Sequence, residues 1–386
     1  MLSFRFQAPT KILFGPDAVA QLAGELARLG ANKALVVTDP GLVRAGLLER
    51  ITSVLEQGAV AFEVFDQVEP NPRDTTILAG AEVAQVSGAG ALVALGGGSP
   101  IDAAKAMAVM AANDGPLADY CGAGADPWPV PPVPIIAIPT TAGTGAEVSG
   151  AAMINLVAES RKADIFGPSI RPVTAILDPV LTVGLPPHLT ASTGIDALSH
   201  ALEAYVALYA NPITDALAEQ AIRLVASNLR LATADGENLE ARGHMLLASA
   251  MAVMAAGAGL GIIHSLAQTL GGFYDAPHGL SIAACFCLGM GYNLPAAPEK
   301  SARIAQLLGA DVAGLSRSDA AEAAVLALQA LLSELGITAD LRTLGVRRAD
   351  IPRLAELAML DGCTPTNPRP IDEAGFAALY EQGLWV

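Results

Sequence analysis

Residues 89–100 read Ala-Gly-Ala-Leu-Val-Ala-Leu-Gly-Gly-Gly-Ser-Pro, and this stretch decides the fold. Ala89–Leu95 is a short unbroken apolar run, the pattern of a strand buried on both faces. It leads directly into Gly96-Gly97-Gly98-Ser99-Pro100, and Ile101–Ala112 then reads as a helix. Strand, glycine turn and helix together are the repeating unit of a parallel sheet. The glycines let the backbone turn sharply and let a phosphate approach with no Cβ in its path. Ser99 is a suitable N-cap, Pro100 suits the first helical position, and Asp102 then falls at N3, where the helix dipole favours an acid. The free N–H groups at such a start form an anion site. The same residues also suit a plain strand-to-helix turn. They do not spell the G-x-G-x-x-G fingerprint.

One acid does close a strand, but upstream: Asp39 follows Ala34–Thr38. From that place it can bond an adenosine ribose hydroxyl and repel a 2′-phosphate, or simply initiate the turn Asp39-Pro40-Gly41. Downstream, the run Pro134–Ile138 ends in Pro139-Thr140-Thr141-Ala142-Gly143-Thr144-Gly145. Hydroxyls and glycines at a strand's carboxyl end suit phosphate or nicotinamide contacts; a hydroxyl-rich turn is the simpler alternative.

The same alternation extends over the first 180 residues. Lys11–Phe14 and Val60–Phe65 read as strands, and residues 17–29 as a helix with Val19, Leu22, Leu26 and Leu29 on one face. A mostly parallel sheet covered on both sides follows. From His188 onward the patterns are helical, in residues 213–231, 237–256, 298–308, 319–336 and 349–359. The expected architecture is an α/β domain over residues 1–182 and an all-helical domain over 183–386. At roughly 150 residues per domain, 386 residues suit two. The proline-rich run Pro127–Pro134 reads as a surface loop.

Hydrophobic residues make up 52% of the chain and charged residues 16%, so a disordered chain is excluded. Between Gly243 and Pro298, Asp275 is the only Asp, Glu, Lys or Arg. Met245–Ile263 in that run is rich in Ala, Gly and Met and no Lys/Arg cluster flanks it, so it is expected as a buried core helix and not a membrane span. The N-terminus has no uninterrupted apolar segment of the signal-peptide kind. The net charge of −16 repels nucleic acid and anionic membranes, and neither is expected as a partner. The four cysteines, Cys121, Cys285, Cys287 and Cys363, form neither a zinc ribbon nor a disulfide framework, which suits a reducing cytoplasm.

The chain has five histidines. Asp196 and His200 stand four apart, on one helix face. His264 and His278 lie inside the nearly charge-free run. An aspartate and three histidines unpaired in apolar surroundings would be costly. Hydrogen bonds in the core relieve that cost one histidine at a time; a divalent metal relieves it for all four together, and this donor set suits iron(II), zinc or a neighbouring metal. His188 and His244 read as structural.

These segments together resemble the iron-containing, or group III, alcohol dehydrogenases over essentially the whole length. The resemblance is carried by residues 14–19 (FGPDAV), 37–42 (VTDPGL), 70–72 (PNP), 96–106 (GGGSPIDAAKA), 139–149 (PTTAGTGAEVS), 193–205 (TGIDALSHALEAY), 273–279 (FYDAPHG) and 367–369 (NPR). It implies a Rossmann-like nucleotide-binding domain and a helical metal domain, a dehydroquinate synthase-like fold with the active site in the cleft between them. It implies Asp196, His200, His264 and His278 as metal ligands, with Fe(II) first and Zn(II) as the alternative. It also implies NAD contacts at Asp39, Asn71, Gly97, Gly98, Ser99, Thr140, Thr141, Thr144 and Lys162, and a homodimer or larger even-numbered assembly. The implied activity is hydride transfer between NAD(H) and a small alcohol or aldehyde. Polyol or hydroxy-acid dehydrogenases, a maleylacetate-type reductase and a metal-dependent lyase are the alternatives on the same fold. One departure concerns Gln268, where many members carry a histidine. Glutamine hydrogen-bonds but takes no proton near neutral pH, so the proton is expected to leave through water.

Overall fold

The computed structural model describes residues 3–385 apart from 160 and 339. Contacts divide the chain into two compact units. One spans Ala8–Leu185; the other begins at Pro186 and takes in the segment that ends at Gln7.

The first unit is built on strands β1 (Lys11–Phe14), β2 (Lys33–Val37), β3 (Ala61–Phe65), β4 (Ala91–Gly96), β5 (Ile135–Pro139), β6 (Ala151–Leu156), β7 (Arg161–Phe166) and β8 (Thr174–Leu177). Six of them form a parallel sheet in the order β1-β8-β5-β4-β2-β3. Its helices are α1 (Leu22–Arg28), α2 (Pro40–Arg44), α3 (Leu47–Gln57), α4 (Asp74–Ser87) and α5 (Gly98–Ala112). Leu35 and Val37 of β2, with Leu92 and Ala94 of β4, join one core with α4 and α5. Ala34 and Val36, with Ala91, Val93 and Leu95, join another with α1 and α3. This alternation of period two is that of a sheet covered on both faces, as the apolar strands anticipated.

Three strands escape the sequence reading. β8 is only four residues long. β6 and β7 form a separate antiparallel hairpin, in which Asn155 pairs with Lys162. The burial of β6 alternates strictly, a half-covered strand unlike its parallel neighbours. Trp128, in the proline-rich segment read as a surface loop, is buried and donates from Nε1 to Ser169 Oγ at 2.9 Å.

The glycine turn also differs from expectation. The reversal is completed at Gly96, with φ of +150°, so α5 starts at Gly98 with Gly97 as its N-cap. Ser99 is therefore not the cap, and Asp102 lies beyond N3. The Asp102 carboxylate accepts from Lys105 Nζ at 3.2 Å and from Met153 N at 3.0 Å, tying α5 to β6.

The second unit is helical: α6 (Pro187–Val206), α7 (Pro212–Ala234), α8 (Leu239–Ala255), α9 (Ile262–Tyr274), α10 (His278–Asn293), α11 (Pro298–Leu307), α12 (Arg317–Glu334), α13 (Ile351–Met359) and α14 (Glu373–Gly383). α6 is buried along nearly its whole length and packs against α7, α8 and α10. Met245–Ile263 is not one helix. The chain breaks after α8, passing Gly259 at φ +103°, and α9 leaves at 107° to α8. His278–Ala296 has the length and apolarity of a membrane span, yet α10 packs against α6 and α9 as a core helix does.

Candidate metal centre and cofactor cradle

The metal candidates come from three helices. Asp196 and His200 are one turn apart on α6, and His264 stands in the first turn of α9. His278 opens α10. A Cβ on the next residue, Gly279, would lie 2.9 Å from Ser192 O, so only glycine lets α10 begin this close to α6. Asp196 Oδ1 is 3.4 Å from His200 Nδ1, 3.7 Å from His264 Nε2 and 3.5 Å from His278 Nε2. Ligand atoms of Asp196, His200 and His264 all lie within 4.8 Å of one another. His278 stands outside that tightest group but faces the same aspartate oxygen.

The fit to a cation rests on orphaned atoms. Among the described residues, Asp196 Oδ1 and His264 Nε2 are buried with no hydrogen-bond partner, a costly arrangement that a divalent ion relieves. Burial raises the Asp196 carboxyl, but His200 and His278 outweigh it and hold it well below the usual carboxylate range. Burial and the neighbouring His264 push His200 down to about 3. Burial also opposes charge on His264, yet Glu203 and Asp196 prevail and lift it to about 10. The two imidazoles are thus pushed in opposite directions inside a single cluster.

Glu203 was not singled out from the sequence. It lies seven residues after Asp196, is 1% exposed, and holds His264 Nδ1 at 2.5 Å. The i, i+7 spacing on a buried helix was the available signal. Gln268 is one turn beyond His264, with its amide donating to Cys363 Sγ at 3.7 Å. His188 is exposed, and His244 meets Asn228 Oδ1 at 3.1 Å on another part of the unit.

In the α/β unit the two small-residue loops meet. A Cβ on Gly97 would lie 3.0 Å from Thr141 Oγ1, and one on Gly98 would lie 2.8 Å from Thr144 Cγ2. Among the described residues, no side chain caps the start of α5. Bare N–H groups, glycines and hydroxyls therefore share one place at the carboxyl ends of β4 and β5, and Thr140 N donates to Gly96 O at 3.0 Å within it. β2 and β4 are neighbours from which the strand order runs in opposite directions, the switch point where such sheets bind ligands. Asp39 stands at the end of β2. It caps α2 through Oδ1 alone, which accepts from Gly41 N at 2.7 Å and Leu42 N at 3.0 Å. The turn-forming and ribose-binding readings of Asp39 are thus compatible, because Oδ2 takes no part in the cap. Asn71 and Lys162 are brought together, with Nζ donating to Oδ1 at 3.2 Å.

Comparison with known proteins bears on both units. Residues 9–179 match the family model for iron-containing alcohol dehydrogenase, and residues 190–384 match that for the C-terminal part of the Fe-containing alcohol dehydrogenase family. The chain is 43% identical to 1,3-propanediol dehydrogenase of Klebsiella pneumoniae over 99% of both chains. It is 40% identical to NAD-dependent methanol dehydrogenase of Bacillus methanolicus, over 98% of this chain and 99% of that one. The crystal structure of a 1,3-propanediol oxidoreductase superposes with a TM-score of 0.95 at 42% identity, covering 99% of this chain and 100% of that one.

Proposed function

The chain belongs to the iron-containing alcohol dehydrogenase family, and on that premise we propose that its substrates are a short diol and the corresponding hydroxyaldehyde. It is a metal-dependent oxidoreductase that passes hydride between NAD(H) and a small alcohol or aldehyde. The observation that carries the diol reading is the 43% identity, over 99% of both chains, to a 1,3-propanediol dehydrogenase.

We assign the metal to Asp196, His200, His264 and His278, with Fe(II) as first choice and Zn(II) as the alternative. The orphaned Asp196 Oδ1 and His264 Nε2 support that assignment. We assign NAD to Asp39, Asn71, Gly97, Gly98, Ser99, Thr140, Thr141, Thr144 and Lys162, supported by the cradle that a Cβ on Gly97 or Gly98 would fill. The α/β unit then serves the nucleotide and the helical unit the metal. When bound, the ion supplies Lewis acidity toward the substrate oxygen and the nicotinamide supplies or accepts hydride.

The chain's own residues contribute in distinct ways. Three imidazoles and one carboxylate leave a divalent ion with net positive charge, which suits polarising an oxygen. Residues 262–267 of α9 are all buried, so the side of the centre that carries His264 is shielded from solvent and its charges are screened less than in water. Gln268 Nε2 donates to Cys363 Sγ and its amide accepts no proton near neutral pH. The proton of an oxidised alcohol therefore leaves by another route, through water.

We further propose a cytoplasmic homodimer or larger even-numbered assembly with no nucleic-acid or membrane partner. Free thiols at all four cysteines and the charge of −16 support the compartment and the excluded partners. The family resemblance supports the assembly, and a monomer in sedimentation equilibrium would overturn it. The substrate test follows NADH absorbance with metal-loaded protein across short diols, monoalcohols, polyols and hydroxy acids. The highest kcat/KM is expected for a short diol. A higher value for a monoalcohol or a hydroxy acid overturns the substrate assignment.

A further inference from the structure

Glu203 is a buried carboxylate whose place in α6 calls for an explanation. Taking such a group out of water is costly unless its charge and both oxygens find partners. Among the described residues no lysine or arginine pairs with it; its ion-pair partner is His264. Both oxygens are nevertheless engaged. Oε1 accepts from Ile263 N at 2.7 Å, and Oε2 holds His264 Nδ1 at 2.5 Å. One carboxylate thus grips both the backbone at the start of α9 and the ring one residue later.

A second side chain shares the task. Asn367 Oδ1 accepts from Ile262 N at 3.2 Å. Asn367 is itself held by a reciprocal amide pair with Asn293, 2.8 Å in each direction. The first two N–H groups of α9, which no preceding turn can satisfy, therefore go to side chains from α6 and from the segment after α13. Gly261 makes the approach possible, since a Cβ there would lie 2.5 Å from Asn367 Oδ1 and 3.0 Å from Glu203 Oε1. The backbone that carries His264 is set by the same group that sets its ring.

The chemistry of that contact is directional. An ionised carboxylate accepts hydrogen bonds and donates none, so the ring nitrogen facing it carries the proton. With Nδ1 holding a proton toward Glu203, Nε2 is left as the nitrogen that can bind an ion, and it is Nε2 that lies 3.7 Å from Asp196 Oδ1. Partners of this kind orient a metal-binding histidine and raise its basicity.

We propose that Glu203 is a positioning residue that fixes the tautomer and rotation of His264 and thereby sets the metal affinity of the centre. The inference rests on the ligand assignment above. Glu203 touches neither substrate nor cofactor in this role; it acts through His264.

Glu203→Gln separates this role from simple space filling. Its one amide oxygen can still accept from Ile263 N, but its NH2 then faces His264 Nδ1 and demands an acceptor there, which moves the ring proton to Nε2. The measurement is the Zn(II) dissociation constant of the full chain, by competition with a chelator, with the Co(II) absorption spectrum as a signature of ligand geometry. Melting of the metal-free protein monitors the fold. In a folded E203Q protein, zinc affinity is expected to fall by about 10- to 100-fold, with an altered cobalt spectrum. Affinity unchanged from wild type overturns the role of Glu203 alone. Failure of the wild-type protein to take up any ion overturns the ligand assignment and this inference with it. A measurement on the unsubstituted protein stands if E203Q does not fold. In zinc-loaded protein labelled with 15N-histidine, the His264 ring is expected to keep its proton on Nδ1 and to bind through Nε2. A His264 ring bound through Nδ1 overturns the proposal.

Discussion

Lys162 Nζ donates to Asn71 Oδ1 across 3.2 Å, joining the β6–β7 hairpin to a turn 91 residues earlier in the chain. Asn71 sits at φ +50°, a left-handed conformation that asparagine tolerates better than most residues. Asn71→Gly therefore removes the side chain while keeping the backbone. Each of Asn71→Gly and Lys162→Ala is expected to weaken NADH binding by roughly tenfold, the scale of one hydrogen bond involving a charged group. Because the two residues touch, the double variant should lose less than the product of the single losses. Fluorescence titration with NADH reads all three, and unchanged affinity in both single variants would remove these residues from the cofactor site.

Asp39 is expected to select NAD over NADP by its charge. Its Oδ1 caps α2, so the informative substitution keeps an acceptor there and removes only the charge. Asp39→Ser does both, since serine is an equally good N-cap. The ratio of kcat/KM with NADP to that with NAD should rise in this variant. An unchanged ratio would leave Asp39 with the turn alone.

Asp196→Ala and His264→Ala should each abolish metal binding and activity together, as metal analysis of the purified proteins would show. The loss also has a readout in stability. An ion present at 100 times its dissociation constant stabilises the folded state by about 2.7 kcal/mol. Added metal should therefore raise the melting temperature of the wild-type protein and leave that of either variant where it was. A variant that retains one ion per chain would mean that the ligands lie elsewhere.

Glu147 is expected to make stability depend on pH. It is buried, its Oε1 has no hydrogen-bond partner among the described residues, and burial pushes its carboxyl from 4.5 up to about 7, against the weaker pulls of its own backbone N–H and of Lys105. Between these two values the unfolded chain gives up the proton that the folded chain keeps, so folding loses stability as pH rises. The contribution is complete below 4.5 and is lost through about 7. Glu147→Gln, which stays neutral, should match the wild-type melting temperature in acid and exceed it at about pH 8, by up to about 3 kcal/mol of stability. A difference that stays constant across that window would show that Glu147 is ionised in the folded protein.

Much of the fold was legible in short windows of sequence. The buried strands beside Gly96, Asp39 and Thr140 each declare themselves within five to seven apolar residues, because a parallel strand is apolar on both faces. Asp196 and His200 are legible as a pair because a helix places residues four apart together whatever surrounds it. The exact start of α5 was not legible, because it depends on how quickly the backbone turns at Gly96. The β6–β7 hairpin was hidden for a different reason: its polar residues, Asn155 and Lys162, break the apolar run that marks the other strands.

What the sequence determined by itself was therefore what repeats over a turn of helix or a few residues of strand: the α/β order, the helical second half, the glycine loop and the Asp196–His200 pair. Tertiary structure alone decided which distant groups meet. His264 and His278 reach Asp196 because α9 turns away after Gly259 and because Gly279 lets α10 begin against Ser192. Glu203 becomes the partner of His264 only when α6 and α9 lie together, 61 residues apart in the chain. Periodicity is a property of neighbouring residues, whereas these meetings depend on which buried faces exclude water together, and no short window of sequence carries that information.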